Sequence, residues 1–344
     1  AMRRLMDRGD LAGPVAAFGW ATLLAAGPYL AASLALLALG AGAAPEAARP
    51  GLAIAAYALA LSALAFGPLQ FAFARVLGDL LREGRGAWLG AATAQVLGPL
   101  TGGLAIAAAA FAAALPLDAG ERAAAFTLTL AYGGTWLALV PLSAARNYAA
   151  IGLVFAVGCM AGLGLALALG EAFGLRGLLS GLAAGQVGVL LGLLGRADRE
   201  FGAPTVPLPD LWPRLRAQGP LLVAGGAYAT ALWADRAIFW WHPLAPSQAV
   251  LGPLRVCPAY DNGMALAALS TLPAIALVVL LAETDLARRV ADWVATIEAR
   301  AALPTVRAAG QALIDSVWRN SVSYTHLRAH ETVLDLVCRL LLEK

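Results

Sequence analysis

Along the chain, long apolar runs alternate with short stretches that carry arginine. The runs cover about 11–39, 51–74, 87–115, 123–145, 148–170, 177–195, 217–241 and 262–282. Each is near the roughly 20 residues a helix needs to cross a bilayer core. A membrane β-barrel would instead alternate with period two over ~10-residue segments. Nothing here alternates that way, and continuous Ala/Leu runs favour helix by length and propensity. The first run is too long for a removed signal peptide and lacks a cleavage pattern. The pattern predicts an all-α polytopic membrane protein with eight transmembrane helices.

Composition agrees. The 344 residues are 60% hydrophobic and 13% charged, with a mean hydropathy of +0.74; a soluble domain is nearer a quarter charged. With the amino terminus inside, the cytoplasmic stretches hold Arg3, Arg4, Arg8, Arg75, Arg82, Arg85, Arg146, Arg196, Arg199, Arg214, Arg216, Arg288, Arg289, Arg300, Arg307 and Arg319. The other side holds Arg49, Arg122, Arg176 and Arg255. This asymmetry predicts a cytoplasmic amino terminus. The net charge of +3 reports the same bias and is no argument for nucleic acid.

The first and seventh runs open alike, GPVAAFGWAT from Gly13 and GPLLVAGGAYAT from Gly219. Pro68 in the second run and Pro273 in the eighth stand at nearly the same offset. Six runs precede the second copy, so both copies start on one side of the membrane. That is the parallel repeat of transporters built from two six-helix halves. The expected architecture is one complete six-helix bundle, residues 1–206, and the first two helices of a second, residues 207–320. The chain then reads as a truncated twelve-helix, flippase-like fold.

From Ser321 the text changes character. SVSYTHLRAHETVLDLVCRLLLEK holds the chain's only lysine, Lys344, and two of its three histidines, His326 and His330. It resembles translated sequencing-adapter sequence, so 321–344 is set aside as a non-native tail. Cys159, Cys257 and Cys338 have no ligand-like spacing, and neither a metal site nor a disulfide framework is expected.

Motifs for soluble chemistry are absent. A P-loop needs a lysine to reach the phosphates, and G-x-S-x-G and H-E-x-x-H do not occur. No cofactor is expected. The Gly158/Gly162 and Gly181/Gly185 pairs point to close helix packing. What remains specific is charge inside apolar runs, which costs ~2.5–3.5 kcal/mol at a helix centre and so faces a cavity or a partner. Asp235 and Arg236, in ALWADRAIFWWHP, stand about 100° apart on a helix. Asp235 shares a face with Ala231 and Tyr228, as a cavity wall would. Alternatively the pair anchors the seventh helix at an interface marked by Trp233, Trp240 and Trp241.

Tyr260 and Asp261 open the eighth run, where an N-cap aspartate is the plainer reading. Glu283 and Asp285 close it, against the helix macrodipole. Pro28, Pro68 and Pro273 interrupt helices and permit bending beside a cavity. Gln70 would be a polar group on such a cavity.

Several segments resemble one family: AFGWATLLAAGPYL (17–30), LAFGPLQFAFARVLGDLL (64–81), ALWADRAIFWWHP (231–243), AYDNGMALAALSTLPAIAL (259–277) and LAETDL (281–286). They are similar to the PelG-type membrane components of Pel exopolysaccharide systems, in the multidrug and oligosaccharidyl-lipid flippase superfamily. One departure is Arg236, where the family carries lysine; arginine cannot release a proton. The resemblance implies two bundles about a central cavity and export of a hexosamine-rich polysaccharide across the bacterial inner membrane for the biofilm matrix. Its expected partners are a cytoplasmic glycosyltransferase and accessory inner-membrane Pel-type proteins.

The leading expectation is therefore a translocator rather than an enzyme. A membrane polymerase or acyltransferase would need a large loop with paired catalytic residues, and the outer loops are short. A non-transporting scaffold that recruits the glycosyltransferase is the other alternative. Sugar movement into vesicles holding only this protein and the synthase separates it from a transporter.

Overall fold

The computed structural model describes residues 45–145, 147–202, 210–270 and 272–330. The first run, with Pro28 and the Gly13–Pro14 copy of the repeat, lies outside them, as does the tail beyond His330. The described chain forms α1 (Pro45–Arg82), α2 (Trp88–Ala113), α3 (Ala119–Ala144), α4 (Tyr148–Phe201), α5 (Trp212–Arg216) and α6 (Gly219–Trp241). It continues with β1 (Gln248–Leu251), β2 (Leu254–Val256), α7 (Pro258–Ser270) and α8 (Leu272–Leu281). A π-helical turn, Ala282–Leu286, leads into α9 (Ala287–Glu298), and α10 spans Leu303–His330. The protein is thus helical, and α1 to α4 are long and apolar enough to cross a membrane by length and composition. One element is a correction to the all-α expectation: a small antiparallel hairpin, β1–β2, between the seventh and eighth runs.

Two compact units divide the chain, one of them Pro28–Asp261 and the other carrying Asn262 onward. The expected boundary at 206/207 falls inside the first unit, because α6 packs along α1.

In the first unit the helices run back and forth between two ends. One end gathers arginines: Arg75 and Arg82 at the close of α1, Arg196 and Arg199 at the close of α4, and Arg214 and Arg216 in α5. The opposite end is aromatic. Asp118 starts α3 there with a capping box, its carboxylate accepting from the Glu121 amide while the Glu121 side chain accepts from the Asp118 amide.

The fifth and sixth runs form the single element α4, but it doubles back at Gly174, whose φ of +57° suits glycine. The two arms then touch through small residues. A Cβ on Gly185 would lie 2.3 Å from Gly162 Cα, and one on Gly181 2.3 Å from the Ala166 nitrogen. The two glycine pairs seen in the sequence therefore pack against each other, as small-residue stripes in membrane helices do.

Buried hydroxyls and amides find partners within the bundle. Gln186 Nε2 donates to Thr135 Oγ1 at 2.9 Å, and Trp136 Nε1 donates to Ser62 Oγ at 3.2 Å. Ser62 and Thr135 donate in turn to carbonyls of their own helices. In lipid such pairing removes the cost of unsatisfied polar groups.

α1 stays one helix through Pro50 and Pro68, so Pro68 does not break it. It sits instead where α6 crosses. A Cβ on Gly67 would lie 2.3 Å from Ala229 Cβ, and one on Gly225 2.3 Å from the Gly67 carbonyl oxygen. The pairs Tyr57/Trp240 and Gly67/Gly225, with Glu83/Arg214 of α5 beyond them, mark an antiparallel course of α5 and α6 along α1.

The second unit is a helical hairpin. Asp285 of the π turn meets Ser316 of α10, and Trp293 of α9 packs on Gly310. Glu283 and Asp285 therefore do not close a helix, because α8 continues through the π turn into α9. Asp285 accepts from Ser316 at 2.6 Å and pairs with Arg288 at 3.0 Å and Arg289 at 3.3 Å. The Ser316 hydroxyl, then the two guanidinium groups, hold its carboxyl below the usual aspartate range. The side chains of Glu283 and Pro273 are outside the described set; Pro273 is the second residue of α8.

Candidate functional site

At the aromatic end of the first unit, the close of α6 and the opening of α7 exchange acids and aromatics. Asp235 of α6 accepts from the Tyr260 hydroxyl of α7, through Oδ2 at 2.6 Å. In return Asp261 of α7 accepts from the Trp240 indole of α6, with Nε1 3.1 Å from both carboxylate oxygens. Phe239 stacks on Tyr260 with ring centroids 3.8 Å apart. Asp235 lies one turn before Phe239 on α6, so a single helix face presents both the carboxylate and the ring that receive Tyr260.

Asp261 is not the N-cap of α7. It lies one turn inside, and its Oδ2 accepts from the Cys257 amide at 3.0 Å. The acid thus satisfies an orphan N–H at the helix start from within while also holding Trp240. A negative charge this close to a helix N-terminus interacts favourably with the macrodipole.

Asp235 and Arg236 do not pair with one another. Asp235 Oδ1 accepts from the Arg236 backbone N–H at 2.7 Å, whereas the Arg236 guanidinium lies 5.0 Å from the Trp233 ring centroid. That is a cation–π distance. Among the described residues neither Asp235 nor Asp261 forms an ion pair, and both carboxylates are met by neutral donors. Hydrogen bonds from neutral donors stabilise a carboxylate without cancelling its charge.

The aromatic residues around it form a cluster. Trp240 is buried at 4% exposure and stacks on Tyr57 of α1 at 4.5 Å and 18°. Trp233 tilts against Trp240 at 6.4 Å, and Trp241 meets Tyr57 edge-on at 5.7 Å. Of the three tryptophans only Trp241 is exposed.

The other candidates separate from this cluster. Tyr228 is exposed and leans on Phe71 at 5.6 Å, two turns along α6 from Asp235. Gln70 is half-buried on α1 beside the Gly67–Gly225 crossing. The backbones of α1 and α6 are in contact there, so the two helices leave no cavity between them at that level. A surface pocket of about 430 Å³ opens instead at the arginine end, lined by Val76, Asp79, Arg82, Glu83, Arg214 and Gln218 among others.

Tyr57, Trp240 as a hydrogen-bond donor, and the β hairpin escaped the sequence reading. The available signals were a lone tyrosine in an Ala/Leu run and a Gly252-Pro253 turn between QAVL and LRV. Cys159 is half-buried and Cys257 buried, both as free thiols. Among the described residues no group of three metal-capable side chains occurs.

The chain matches the family model PelG, "Putative exopolysaccharide Exporter (EPS-E)", over residues 1–342, a range that takes in most of the tail after Ser321. No curated protein and no solved structure matches it.

Proposed function

Given that the chain belongs to the PelG exopolysaccharide-exporter family, we propose that it moves a Pel-like, hexosamine-rich polysaccharide across the bacterial inner membrane by alternating access. The aromatic end faces outward and the arginine-rich end, with the amino terminus, faces the cytoplasm, as positive-inside bias dictates. The family and the four span-like helices make this a membrane protein with an export role. The finer reading adds a second helical bundle, begun by the seventh and eighth runs, whose first helix α6 keeps its contact with α1 as access alternates. A cytoplasmic glycosyltransferase feeds the arginine end, and accessory inner-membrane proteins of the same system assist.

The observation that supports this reading most directly is the reciprocal clasp. Asp235 and Asp261 are carboxylates in a membrane protein, held by neutral donors and surrounded by aromatic rings. Charges of this kind are expensive in a membrane segment and mark substrate or ion contacts. Asp235 and Asp261 contact the sugar chain or a coupling ion, Trp233 and Trp241 supply stacking faces, and Tyr260 orients Asp235. Arg236 keeps a fixed positive charge on Trp233 and does not relay protons.

The test is Asp235→Asn in the full-length protein, in cells that make the polymer. Asn keeps the shape of the side chain and an acceptor for Tyr260 while removing the charge. We expect at least a tenfold loss of exported polymer at unchanged protein level in the membrane. Undiminished export would remove Asp235 from the mechanism.

A further inference from the structure

The β1–β2 hairpin has no counterpart in the sequence reading. It joins α6 to α7, so its two ends lead directly to Trp240 and Asp261, the two halves of one hydrogen bond. Gly252, at φ +54°, begins a two-residue turn and brings the tip against Pro116; a Cβ there would fall 2.8 Å from Pro116 Cδ. Leu254 and Cys257 are buried at 3% and 1%, in one cluster with Leu115 and Leu117 of the α2–α3 connection.

Polar contacts fasten the hairpin to α1. The Tyr57 hydroxyl donates to the Arg255 carbonyl at 2.8 Å and accepts from the Arg255 N–H at 3.3 Å. Arg49, two turns earlier on α1, donates to the Gln248 side-chain carbonyl. Arg255 turns its guanidinium inward to Ser247, with Nε 2.9 Å from the hydroxyl oxygen. That bond ties the two strands together independently of the bundle.

We propose that the β1–β2 hairpin is a lid over the outer end of the translocation path, and that Tyr57 is its catch. The hairpin is internally braced, through Arg255 and Ser247, so it can lift as one piece. Its polar attachments to α1 are side-chain hydrogen bonds, and lifting also has to free Val250, Leu251, Leu254 and Val256 from the cluster they share with Leu115 and Leu117. Tyr57 is suited to sense opening because the same ring that binds Arg255 stacks on Trp240, which holds Asp261. Lifting the lid therefore loosens the clasp beneath it. The proposal rests on the export reading for its purpose but not for its motion, and the experiment separates the two.

Cys257 serves as reporter, since it is buried under the closed lid. In the full chain with Cys159→Ala and Cys338→Ala, its labelling by a small water-soluble maleimide reads lid opening whether or not polymer moves. Tyr57→Phe keeps the ring on Trp240 and removes only the bonds to Arg255. Losing about one net hydrogen bond predicts labelling roughly five- to tenfold faster. Tyr132→Phe, on α3 among Ala55, Leu128 and Ala183 away from the hairpin, is the control and leaves the rate unchanged. An unchanged rate in Tyr57→Phe overturns the catch.

For the role in export, Cys257→Ser is added to that background and Arg49→Cys and Gln248→Cys are joined by a reversible bis-methanethiosulfonate crosslinker. Export stops when the link forms and returns on reduction. Export that continues through the link overturns the lid. If the unlinked double-cysteine protein exports nothing while wild type does, the maleimide labelling rates at Cys257 decide the lid. If wild type itself exports nothing, the export reading fails and the lid still stands or falls on labelling.

Discussion

Gly225 and Gly226 are neighbours on α6 with opposite expected responses to a single methyl group. At Gly225 a Cβ would lie 2.3 Å from the Gly67 carbonyl oxygen, 3.3 Å from its carbon and 3.4 Å from the Pro68 oxygen. Ordinary heavy-atom contact is about 3.5 Å, so Gly225→Ala must push the backbones of α1 and α6 about 1 Å further apart. Pro68 and Ala229 leave no easy direction for that shift, since Gly67 already abuts the Ala229 methyl. Overpacking of this sort costs about 1–3 kcal/mol. Ala gains about 1 kcal/mol over Gly in a helix, so the net loss is up to about 2 kcal/mol. At Gly226 the nearest atom to a new Cβ is Pro68 Cγ at 3.5 Å, an ordinary contact. Gly226→Ala is therefore neutral or more stable by up to about 1 kcal/mol. SDS-driven unfolding of the purified protein in mixed micelles, followed by helical circular dichroism, measures both. If Gly225→Ala proves as stable as Gly226→Ala, the close α1–α6 crossing is wrong. The registration of every other contact along those helices would be wrong with it.

Trp240→Phe keeps an aromatic ring on Tyr57 but removes both hydrogen bonds to Asp261. It should cost about 1.5–3 kcal/mol in the same unfolding assay, as expected for a bond to a charged acceptor. Asp285 predicts an acid dependence in the second unit. Its folded pKa lies below the ordinary value of 3.8, mainly through the Ser316 hydroxyl. Its stabilisation is thus complete above that value and fades as pH falls through the lower, folded one. Hydrogen exchange of α9 and α10 amides between pH 7 and 3 should show protection that holds to about pH 4 and then declines. Ser316→Ala should lower protection already at neutral pH, by about 1 kcal/mol for a partly exposed pair. A pH-independent profile in the wild type would remove Asp285 from the hairpin's stability.

The sequence by itself made these segments apolar and helical, because continuous Ala/Leu runs with few charges and no period-two alternation leave the helix as the form that satisfies its own backbone in lipid. It also located Asp235 as exceptional, since charge in such runs is costly, and its Gly-x-x-x-Gly spacings pointed to close helix packing. Those are properties of local composition. Only the tertiary structure decided what each acid touches. Asp235 finds the Tyr260 hydroxyl and not the guanidinium of adjacent Arg236, because neighbouring side chains on a helix point about 100° apart. Asp261 leaves the N-cap role for Trp240, a residue 21 positions away that packing brings within 3.1 Å. Asp285 makes sense only once Ser316 arrives from another helix. The hairpin and its Tyr57 catch were illegible for the same reason. Its strands are three and four residues long, too short for a period-two signal. They are held by contacts to α1, close to 200 residues earlier in the chain, which no local pattern encodes.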